Sequence, residues 1–323
     1  MIDGEQIADD KLYTAARAEK KLSLYGISMS ESFTPILDQF KKDTGIDYEY
    51  LRLPTQKMYD RVLAEVSANK FEADYADLSD LAYMKEWLER GILTSYKVPN
   101  FETIPSTLKE PQGYWYYVSR IPYVIGVNTA VVKGTDYPKK WSDLYDAKWN
   151  GLLGLQNMEG GGSALTIWAF LRMQIGEDSW SRINQTKPRY YASSPPLDND
   201  LVRGRIGIGA VTASTIARQI ENGAPIAVIF PEDGIPSFGA FGNVTSNAKH
   251  PNAAKLWMNY ITSKRGSLAV SKTGVYGTHP DAPPPQLAGT TFPPASHVWN
   301  IPADKWGNIR ANWPEEWKRV MAR

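Results

Sequence analysis

Residues 21–37 carry the sequence KLSLYGISMSESFTPIL, and this stretch decides the fold. Its apolar start predicts a buried strand, which ends in the small polar loop 28–32. Apolar residues then recur at helical spacing, so a helix follows, with Ser30 or Ser32 as its N-cap and Pro35 in its first turn. A strand, a serine-rich turn and a helix start bring free backbone N–H groups and hydroxyls together. Such a point is suited to bind an anion or a polar ligand, and an ordinary helix cap is the alternative interpretation.

The same alternation of strand and helix continues along the chain. Strands are predicted over residues 46–53 and 73–77, each followed by a helix, which implies a parallel sheet covered by helices. The strand, polar turn and helix recur three times between residues 153 and 223. Two apolar runs, residues 114–128 and 226–230, are predicted to be the strands that cross between two domains. The fold class is therefore α/β with two domains.

Composition excludes several kinds of function. A chain of 323 residues with 42% apolar and 22% charged residues is globular and long enough for two cores. Its net charge of +1 makes nucleic acid a poor partner. Without cysteine, thiol catalysis, disulfides and cysteine-based metal sites are excluded. No apolar run reaches the ~20 residues of a membrane span, and the acidic start MIDGE is not a signal peptide.

Several segments, in this order, carry a resemblance to a known family. They are LSLYGISMSES with ILDQFKKDTGIDYEYLRL, then FEADYADLSDLAYMKEWLERGIL, then VIGVNTAVVKG with YPKKWSDLYDAKWNGLLGL, and finally APIAVIFPEDGIPSFGAFGNVTSNAKHPNAAKLWMNYITSKRGSLAVSKTG. The ordered set resembles the periplasmic or lipid-anchored solute-binding proteins of ABC importers. The resemblance is to the class that includes ferric-ion binders and their relatives for phosphonates, sugar phosphates, polyamines and thiamine.

This resemblance implies a two-lobed periplasmic-binding-protein fold of type II, with two crossover hinge strands. The first lobe is expected over residues 1–120, the second over 121–233, and the return to the first lobe over 234–323, with a helical, proline-rich C-terminal extension. The family holds its ligand between lobes that close by hinge motion. We therefore expect a periplasmic monomer, its signal peptide removed, that binds a small molecule, docks transiently on a membrane-embedded ABC permease and binds no nucleic acid.

The ferric-ion pattern of the family is missing from this sequence. Ferric binders use adjacent tyrosines at the turn that corresponds here to residues 212–215, because Fe³⁺ prefers phenolate and carboxylate oxygens. That turn reads TAST, and the opening loop has no histidine. Tyr190 and Tyr191 lie on a strand instead, where neighbouring side chains point to opposite faces, so packing is the favoured interpretation for both. A ferric-ion or ferric-complex binder remains the alternative.

Polar residues at helix starts are the main candidates for ligand binding. Several helix N-termini with serine and threonine donors favour a phosphate, phosphonate or carboxylate group, although each turn by itself is also a plain cap. The candidates of this kind are Ser28, Ser30, Ser32, Thr55, Ser79, Gly162, Ser163, Ser193, Ser194, Thr212, Ser214 and Thr215.

Three further candidates would add charge or stacking. Arg120, in the first crossover strand, is suited to a charge-assisted pair with an anion, or to a surface salt bridge. Asp233 is suited to an ammonium group, or to a turn in the sequence PEDG. If both face the ligand, a zwitterion becomes attractive. Tyr276 is suited to stack on a ring or a sugar face.

No residue pattern supports an enzyme. The three histidines lie in the C-terminal quarter, without a carboxylate at metal-ligand spacing, and the sequence GGGS lacks the lysine of a phosphate-binding P-loop. There is no G-x-S-x-G nucleophile motif. We therefore predict no catalytic residue, metal or cofactor, and a protein that captures a small organic anion and delivers it to a permease. A two-lobed enzyme that takes no part in transport remains an alternative.

Overall fold

The computed structural model describes residues 1–2, 4–134, 136–287 and 289–322. Over these residues helices and strands alternate, and none of the helices combines the length and apolarity needed to span a membrane. The helices are α1 (Asp10–Glu19), α2 (Ser30–Thr44), α3 (Thr55–Ser67), α4 (Leu81–Glu89), α5 (Gly162–Phe170), α6 (Ser179–Gln185), α7 (Ser194–Val202), α8 (Ala213–Glu221), α9 (Pro251–Thr262), α10 (Lys264–Ser271) and α11 (Trp306–Met321). The strands are β1 (Lys21–Gly26), β2 (Asp47–Arg52), β3 (Tyr75–Leu78), β4 (Tyr116–Asn128), β5 (Leu153–Gln156), β6 (Arg189–Tyr191), β7 (Ile208–Thr212), β8 (Ile226–Ile229), β9 (Ile235–Val244), β10 (Gln286–Leu287), β11 (Thr290–Thr291) and β12 (Val298–Trp299).

The chain divides into two compact units. Unit 1 comprises Met1–Arg120 and Gly239–Pro285, and unit 2 comprises Ile121–Phe238 and Gln286–Arg323. Strands β4 and β9 each have residues in both units, so they are the two crossover strands. The prediction that residues 226–230 form the return crossing is wrong. That segment is β8, which pairs antiparallel with β4 inside unit 2.

Glycines in β9 explain why the sequence does not identify this strand. Gly239 lies against the ring of Tyr117, so a Cβ there would be 2.0 Å from the ring. At Gly242 a Cβ would be 2.2 Å from the hydroxyl of Tyr75. Only glycine fits under these rings, and glycine interrupts the apolar pattern by which a strand is recognised.

In unit 1, β1 pairs parallel with β2 and β3, and β9 runs antiparallel to β3. Trp257 of α9 lies in the core, in edge contact with Phe33 and Phe40. Helix α2 ends at Gly45 in the left-handed conformation, φ 75°, as predicted. Pro35 is the sixth residue of α2 and not a first-turn residue, which corrects the prediction.

In unit 2, β5 pairs parallel with β6 and β7, and β4 pairs antiparallel with β7. The three strand–turn–helix repeats predicted for residues 153–223 are confirmed as β5–α5, β6–α7 and β7–α8. Since β5, β6 and β7 are parallel, their carboxyl ends and the starts of α5, α7 and α8 lie at one edge of this sheet.

The C-terminal segment belongs to unit 2, whereas the sequence assigns residues 234–323 to the return of the first lobe. Helix α11 places Trp317 against Trp168, with ring centroids 5.3 Å apart, and against Tyr190, with centroids 5.4 Å apart. Large buried aromatic rings contribute a substantial apolar area. The extension is therefore part of the core of unit 2.

Replacing Trp317 with alanine should destabilise unit 2 by about 3–5 kcal/mol, because the change removes a buried ring and leaves a cavity. Urea unfolding followed by circular dichroism measures this as a lowered midpoint. Asn312→Ala, at an exposed position of α11, is the matched control and should stay within about 0.5 kcal/mol of the parent. A Trp317→Ala protein as stable as the control would show that α11 contributes little to unit 2.

Candidate functional site

The loop after β1 is held by groups of unit 1 at the carboxyl ends of its parallel strands. The N–H of Ile27 donates to Oδ1 of Asp77 (3.0 Å), and the hydroxyl of Tyr50 donates to the carbonyl of Ser28 (2.7 Å). Nε of Arg52 donates to the carbonyl of Ile27 (3.3 Å). These bonds fix the backbone of the loop and thereby position Ser28.

Ser30 and Ser32 do not cap α2, contrary to the prediction. The N-cap is Met29, whose side chain makes no capping bond, and Ser30 is the first residue of the helix. Ser30 is exposed and Ser32 half-buried. The N-cap thus lies one residue before Ser30, so both serines are inside the helix. The predicted role of Ser28, Ser30 and Ser32 in ligand binding stays a prediction.

Thr55 and Ser79 are brought together in unit 1. Thr55 is the first residue of α3 and Ser79 follows β3, and their hydroxyl oxygens are 2.7 Å apart. Ser79 is buried. Thr55 follows β2 and Ser79 follows β3, and both strands are parallel neighbours of β1. The pair therefore lies at the same edge of the sheet as the loop after β1.

Asp77 is a polar residue of this edge that the sequence analysis missed. It is fully buried. Burial raises the pKa of Asp77 to about 7, against the opposing effects of the Ile27 N–H and of the Tyr75 hydroxyl, which both donate to the carboxylate. A carboxylate inside the otherwise apolar strand YADL is the signal that marks it in the sequence.

Arg120 has a buried guanidinium without a counter-ion in the part of the chain that the structure describes. Its backbone and that of Tyr276 exchange two hydrogen bonds, of 2.9 and 3.0 Å. Nη2 donates to the carbonyl of Gly277 (3.3 Å), and the guanidinium carbon is 5.7 Å from the Tyr276 ring centroid. Nε has no partner, and burial lowers the pKa of Arg120. The alternative of a surface salt bridge is excluded, since the side chain is only 9% exposed and unpaired with any described carboxylate.

Arg120 lies at the same edge of unit 1 as the loop after β1. Strand β9 runs antiparallel to β3, with Leu78 opposite Phe241, so Gly239 lies beyond the carboxyl end of β3. A Cβ at Gly239 would be 3.1 Å from the carbonyl oxygen of Ser119. Arg120, the residue after Ser119, is therefore near the carboxyl end of β3.

Five of the helices that follow the predicted polar turns lack side-chain caps. In unit 1 these are α2 and α3, and in unit 2 they are α5, α7 and α8. Asp9 and Asp80 cap α1 and α4, and Glu19 accepts from the first turn of α9. Among the helices that start at the carboxyl ends of strands, α4 is thus capped, whereas the other five retain N–H groups that their own cap side chains do not bind.

Most of the candidates of unit 2 lie at these helix starts. Gly162 begins α5 and Ser163 follows it, while Ser193 precedes α7. Ser194 donates to Oε1 of Gln156 at the end of β5 (3.3 Å). At the start of α8, the hydroxyl of Thr212 donates to that of Thr215 (2.8 Å), and Ser214 is buried. The parallel strands thus bring these residues to one edge, as the sequence predicts for turns of this kind.

Asp233 has a structural role in unit 2. Its Oδ1 accepts from the N–H of Trp141 (3.0 Å) and its Oδ2 from that of Ser142 (3.4 Å), at the start of a 3₁₀ helix. Both oxygens are thus engaged with backbone. The contacts favour a structural role at a helix start distant in sequence, and an ammonium group would have to compete with these bonds.

Tyr190 and Tyr191 point to opposite sides of β6. The hydroxyl of Tyr190 is 3.1 Å from Oδ1 of Asn184 and 2.9 Å from Sδ of Met321. That of Tyr191 donates to Asp200 (2.9 Å). Both hydroxyls are engaged within unit 2, which agrees with packing and not with a pair of phenolate ligands.

Asp198 of unit 2 is another polar residue that the sequence analysis missed, and Tyr123 is a buried polar residue near it. Asp198 is 6% exposed and Tyr123 is 2% exposed. Oδ1 of Asp198 has no hydrogen-bond partner among the described residues, whereas the side chain of Ser163 lies within hydrogen-bonding reach of the Tyr123 hydroxyl. Burial raises the pKa of Asp198 to about 7. No sequence pattern distinguishes this aspartate from Asp200, which lies on the same helix with partners.

Three comparisons with known proteins bear on the family and the fold of the chain. The sequence profile of the family described as bacterial extracellular solute-binding protein matches residues 73–297. The chain is 24% identical over 288 residues to the spermidine/putrescine-binding periplasmic protein of Escherichia coli, covering 82% of this chain and 80% of that protein. It is 26% identical over 197 residues, 58% of this chain, to an uncharacterised protein of Haemophilus influenzae, and spans 57% of that protein's length.

Solved structures show the same fold. The periplasmic binding protein AfuA of Actinobacillus pleuropneumoniae, with fructose-6-phosphate bound, has a TM-score of 0.76 at 21% identity, over 94% of this chain and 98% of that one. A ferric binding protein of Bordetella has a TM-score of 0.71 at 19% identity, over 93% and 98%. The predicted two-lobed periplasmic-binding-protein fold is confirmed.

Stability should fall as pH rises through the range in which Asp77 titrates. Unfolded, its carboxyl has a pKa of about 3.9, whereas the folded value is raised to about 7. Between these values the folded protein holds a proton that the unfolded chain has lost. The free energy of unfolding therefore decreases, by on the order of 1 kcal/mol per pH unit, and levels off above the folded pKa.

Asp77→Asn removes this titration and should retain the bond from Ile27. The difference in unfolding free energy between variant and parent should therefore grow in the variant's favour from pH 4 to pH 7 on the order of 1 kcal/mol per unit. Asp198 acts in the same direction in both proteins and cancels in this difference. Asp60→Asn, at an exposed position, is the control. Parallel pH profiles for parent and Asp77→Asn would contradict the raised pKa.

Proposed function

The chain belongs to the family of bacterial extracellular solute-binding proteins, and from that premise we propose that its solute is a small organic anion bound through Arg120. It is a binding protein of the ABC-transporter type and not an enzyme. Such proteins bind small solutes outside the cytoplasmic membrane and dock on ABC permeases. We propose further that this one is a periplasmic monomer that docks transiently and binds no nucleic acid.

The single observation that carries the anion proposal is the buried guanidinium of Arg120. A buried charge is costly unless a partner of opposite charge accompanies it. Arg120 has one carbonyl contact through Nη2 and no partner at Nε. An acid group of the solute would supply both the opposite charge and acceptors for the planar donors of the guanidinium. Tyr276 would then present its ring beside that acid group.

The uncapped helix starts support the same proposal. Backbone N–H groups at a helix start and the positive end of the helix dipole both favour an anion. In unit 1, which contains Arg120, the hydroxyls of Thr55 and Ser79 are beside such a start. Unit 2, taken by itself, has Ser163, Thr212 and Ser214 beside starts of the same kind. Hydroxyl donors suit phosphate, phosphonate or carboxylate oxygens.

Other ligands are named for similar proteins but find less support here. A polyamine, as in the name of the Escherichia coli relative, carries positive charge that Arg120 would repel. Ferric ion, for which the Bordetella protein is named, requires oxygen ligands such as phenolates, and the hydroxyls of Tyr190 and Tyr191 are engaged elsewhere. The described residues also contain no cluster of three or more His, Asp or Glu suited to a metal ion.

A thermal-shift screen tests the proposed solute class. The panel contains alkylphosphonates, sugar phosphates, carboxylates and amino acids, with spermidine, putrescine and Fe³⁺ as competing classes. A ligand at a hundredfold excess over its Kd should stabilise the folded protein by about 2.7 kcal/mol. We expect stabilisation by members of the organic acid groups. Stabilisation by polyamines alone, or by Fe³⁺ alone, would overturn the proposal.

Arg120→Met should weaken binding of the solute found in that screen by about 10- to 100-fold, because a charge-assisted hydrogen bond contributes roughly 1.5–3 kcal/mol. The unliganded protein should be as stable as the parent or more stable, since an uncompensated buried charge is removed. Isothermal titration and thermal melting measure the two effects.

Arg265→Met is the matched control for this variant. Nε of Arg265 is paired with Asp43 at 2.9 Å, so the change should lower stability and leave the Kd unaltered. Equal affinity in the parent and in Arg120→Met would remove Arg120 from the site.

A further inference from the structure

The loop after β1 is bonded to one buried carboxyl of unit 1. Oδ1 of Asp77 accepts from the N–H of Ile27 (3.0 Å), in a buried hydrogen bond. Gly26 lies against the same carboxyl, since a Cβ at Gly26 would be 2.9 Å from Oδ2 of Asp77 and 2.9 Å from the hydroxyl of Tyr50. Tyr50 in turn donates to the carbonyl of Ser28 (2.7 Å). The end of β1 and the first residues of the loop are thus packed on Asp77 and Tyr50.

The surroundings of the Asp77 carboxyl are polar but bring no positive charge to it. The hydroxyl of Tyr75, on the same strand, donates to the carboxylate, and the Tyr75 ring is in edge contact with Trp257 of α9. Burial and then the charge of Asp77 raise the pKa of Tyr50 on β2, whereas Arg52, at the end of that strand, lowers it. No lysine, arginine or histidine among the described residues acts on the pKa of Asp77, which burial raises to about 7.

Asp77 lies near Arg120 in unit 1 without being its counter-ion. It is opposite Gly242 on β9, and Gly239, three residues away along that strand, is close to the carbonyl of Ser119. At the rise of a strand this separation places the backbone of Arg120 roughly 10 Å from that of Asp77. Burial lowers the pKa of Arg120, and no carboxylate of the described residues opposes that effect. An acid group bound by Arg120 would therefore come within electrostatic range of Asp77.

A proton on Asp77 changes the charge beside the site but not the hydrogen bond that holds the loop. A protonated carboxyl keeps an acceptor oxygen for the N–H of Ile27 and gains an O–H that can donate to the hydroxyl oxygen of Tyr75. The ionised form accepts both bonds and adds a negative charge, which repels an anion more strongly in a buried site than in water. An anion should therefore bind better to the protonated form, so that its binding takes up a proton.

We propose that Asp77 is a positioning residue of the solute site, which holds the loop after β1 through Ile27 and couples binding of the acid group to uptake of a proton. This inference rests on the proposed function, which places the acid group at Arg120, and it adds a regulation of the same site. The affinity for an anion is then highest where Asp77 holds its proton. It falls as pH rises through about 7 and levels off once Asp77 is ionised in the complex as well.

The pH dependence of binding tests the coupling in the parent protein. The probes are propanoate and the monomethyl ester of ethylphosphonate, because the charge of each stays constant between about pH 5.5 and 8.5. Isothermal titration should give a Kd about 3- to 10-fold higher at the upper pH, as expected for one like charge at this distance. Titrations at neutral pH in two buffers with different heats of ionisation should show uptake of a fraction of a proton.

The outcomes separate this inference from the proposed function. A probe that binds with a Kd unchanged, or lower, at the upper pH overturns the coupling and leaves the proposed function standing. If neither probe binds at either pH, both proposals fail for the acids that these probes represent.

Variants distinguish the charge of Asp77 from its hydrogen bond. Asp77→Asn keeps an acceptor for Ile27 and cannot ionise, so its Kd should stay within about twofold of the parent's low-pH value across the whole range. Asp77→Leu removes the acceptor and should weaken binding about 10-fold at both pH values. Tyr50→Phe, which loses the bond to Ser28, should also weaken binding at both and keep the pH dependence of the parent. Thermal melting shows whether each variant is folded.

Two further carboxyl variants are the controls. Asp60→Asn, at an exposed position, should keep the Kd of the parent at both pH values. Asp198→Asn removes the other described carboxyl whose pKa is raised to about 7, and it should keep the pH dependence. A pH dependence that survives in Asp77→Asn, or that disappears in Asp198→Asn, overturns the coupling. Parent-like affinity in folded Asp77→Leu and Tyr50→Phe overturns the positioning role.

Discussion

Burial of polar groups at the carboxyl ends of the strands is the constraint on which the rest of this structure depends. In unit 1, Asp77 is buried where the loop after β1 needs an acceptor for the N–H of Ile27. The hydroxyl of Tyr50 holds the next carbonyl of the same loop. Because a buried acceptor is costly to leave unpaired, the loop has little freedom to adopt another path. Two side chains held in the packed strands, Asp77 and Tyr50, thus fix the backbone of a polar loop by hydrogen bonds.

Much of the fold follows from local patterns in the sequence. Apolar periodicity predicts β1, α2 and the repeats of unit 2, and Gly45 marks the end of α2, because these signals lie in neighbouring residues. Strand β9 is missed because its glycines are required by rings distant in sequence, Tyr117 and Tyr75. The C-terminal helix is assigned to the wrong unit for a similar reason. Its amphipathic pattern predicts a helix but contains no information about the partner that its apolar face contacts.

The polar edges of the sheets are predictable in outline and not in detail. Serine and threonine at helix starts can be read from the sequence, since a turn is local. Whether a charged residue is paired depends on how its helix or strand packs, which the local sequence pattern does not reveal. Asp198 and Asp200 are two positions apart on α7, yet one is unpartnered and the other is bonded to Tyr191 and Arg205. Arg120 likewise could be assigned to a surface or to a site only once its burial was known.

An uncompensated buried charge restricts the solute more than a neutral hydrogen-bonding group would. The guanidinium of Arg120 disfavours a polyamine, which brings only positive charge, because like charges in a medium of low polarity repel strongly. Specificity is a difference between affinities, and a buried charge left unpaired by the wrong solute enlarges that difference. A solute with an acid group pairs the guanidinium, so the cost of burying Arg120 becomes the basis of selection.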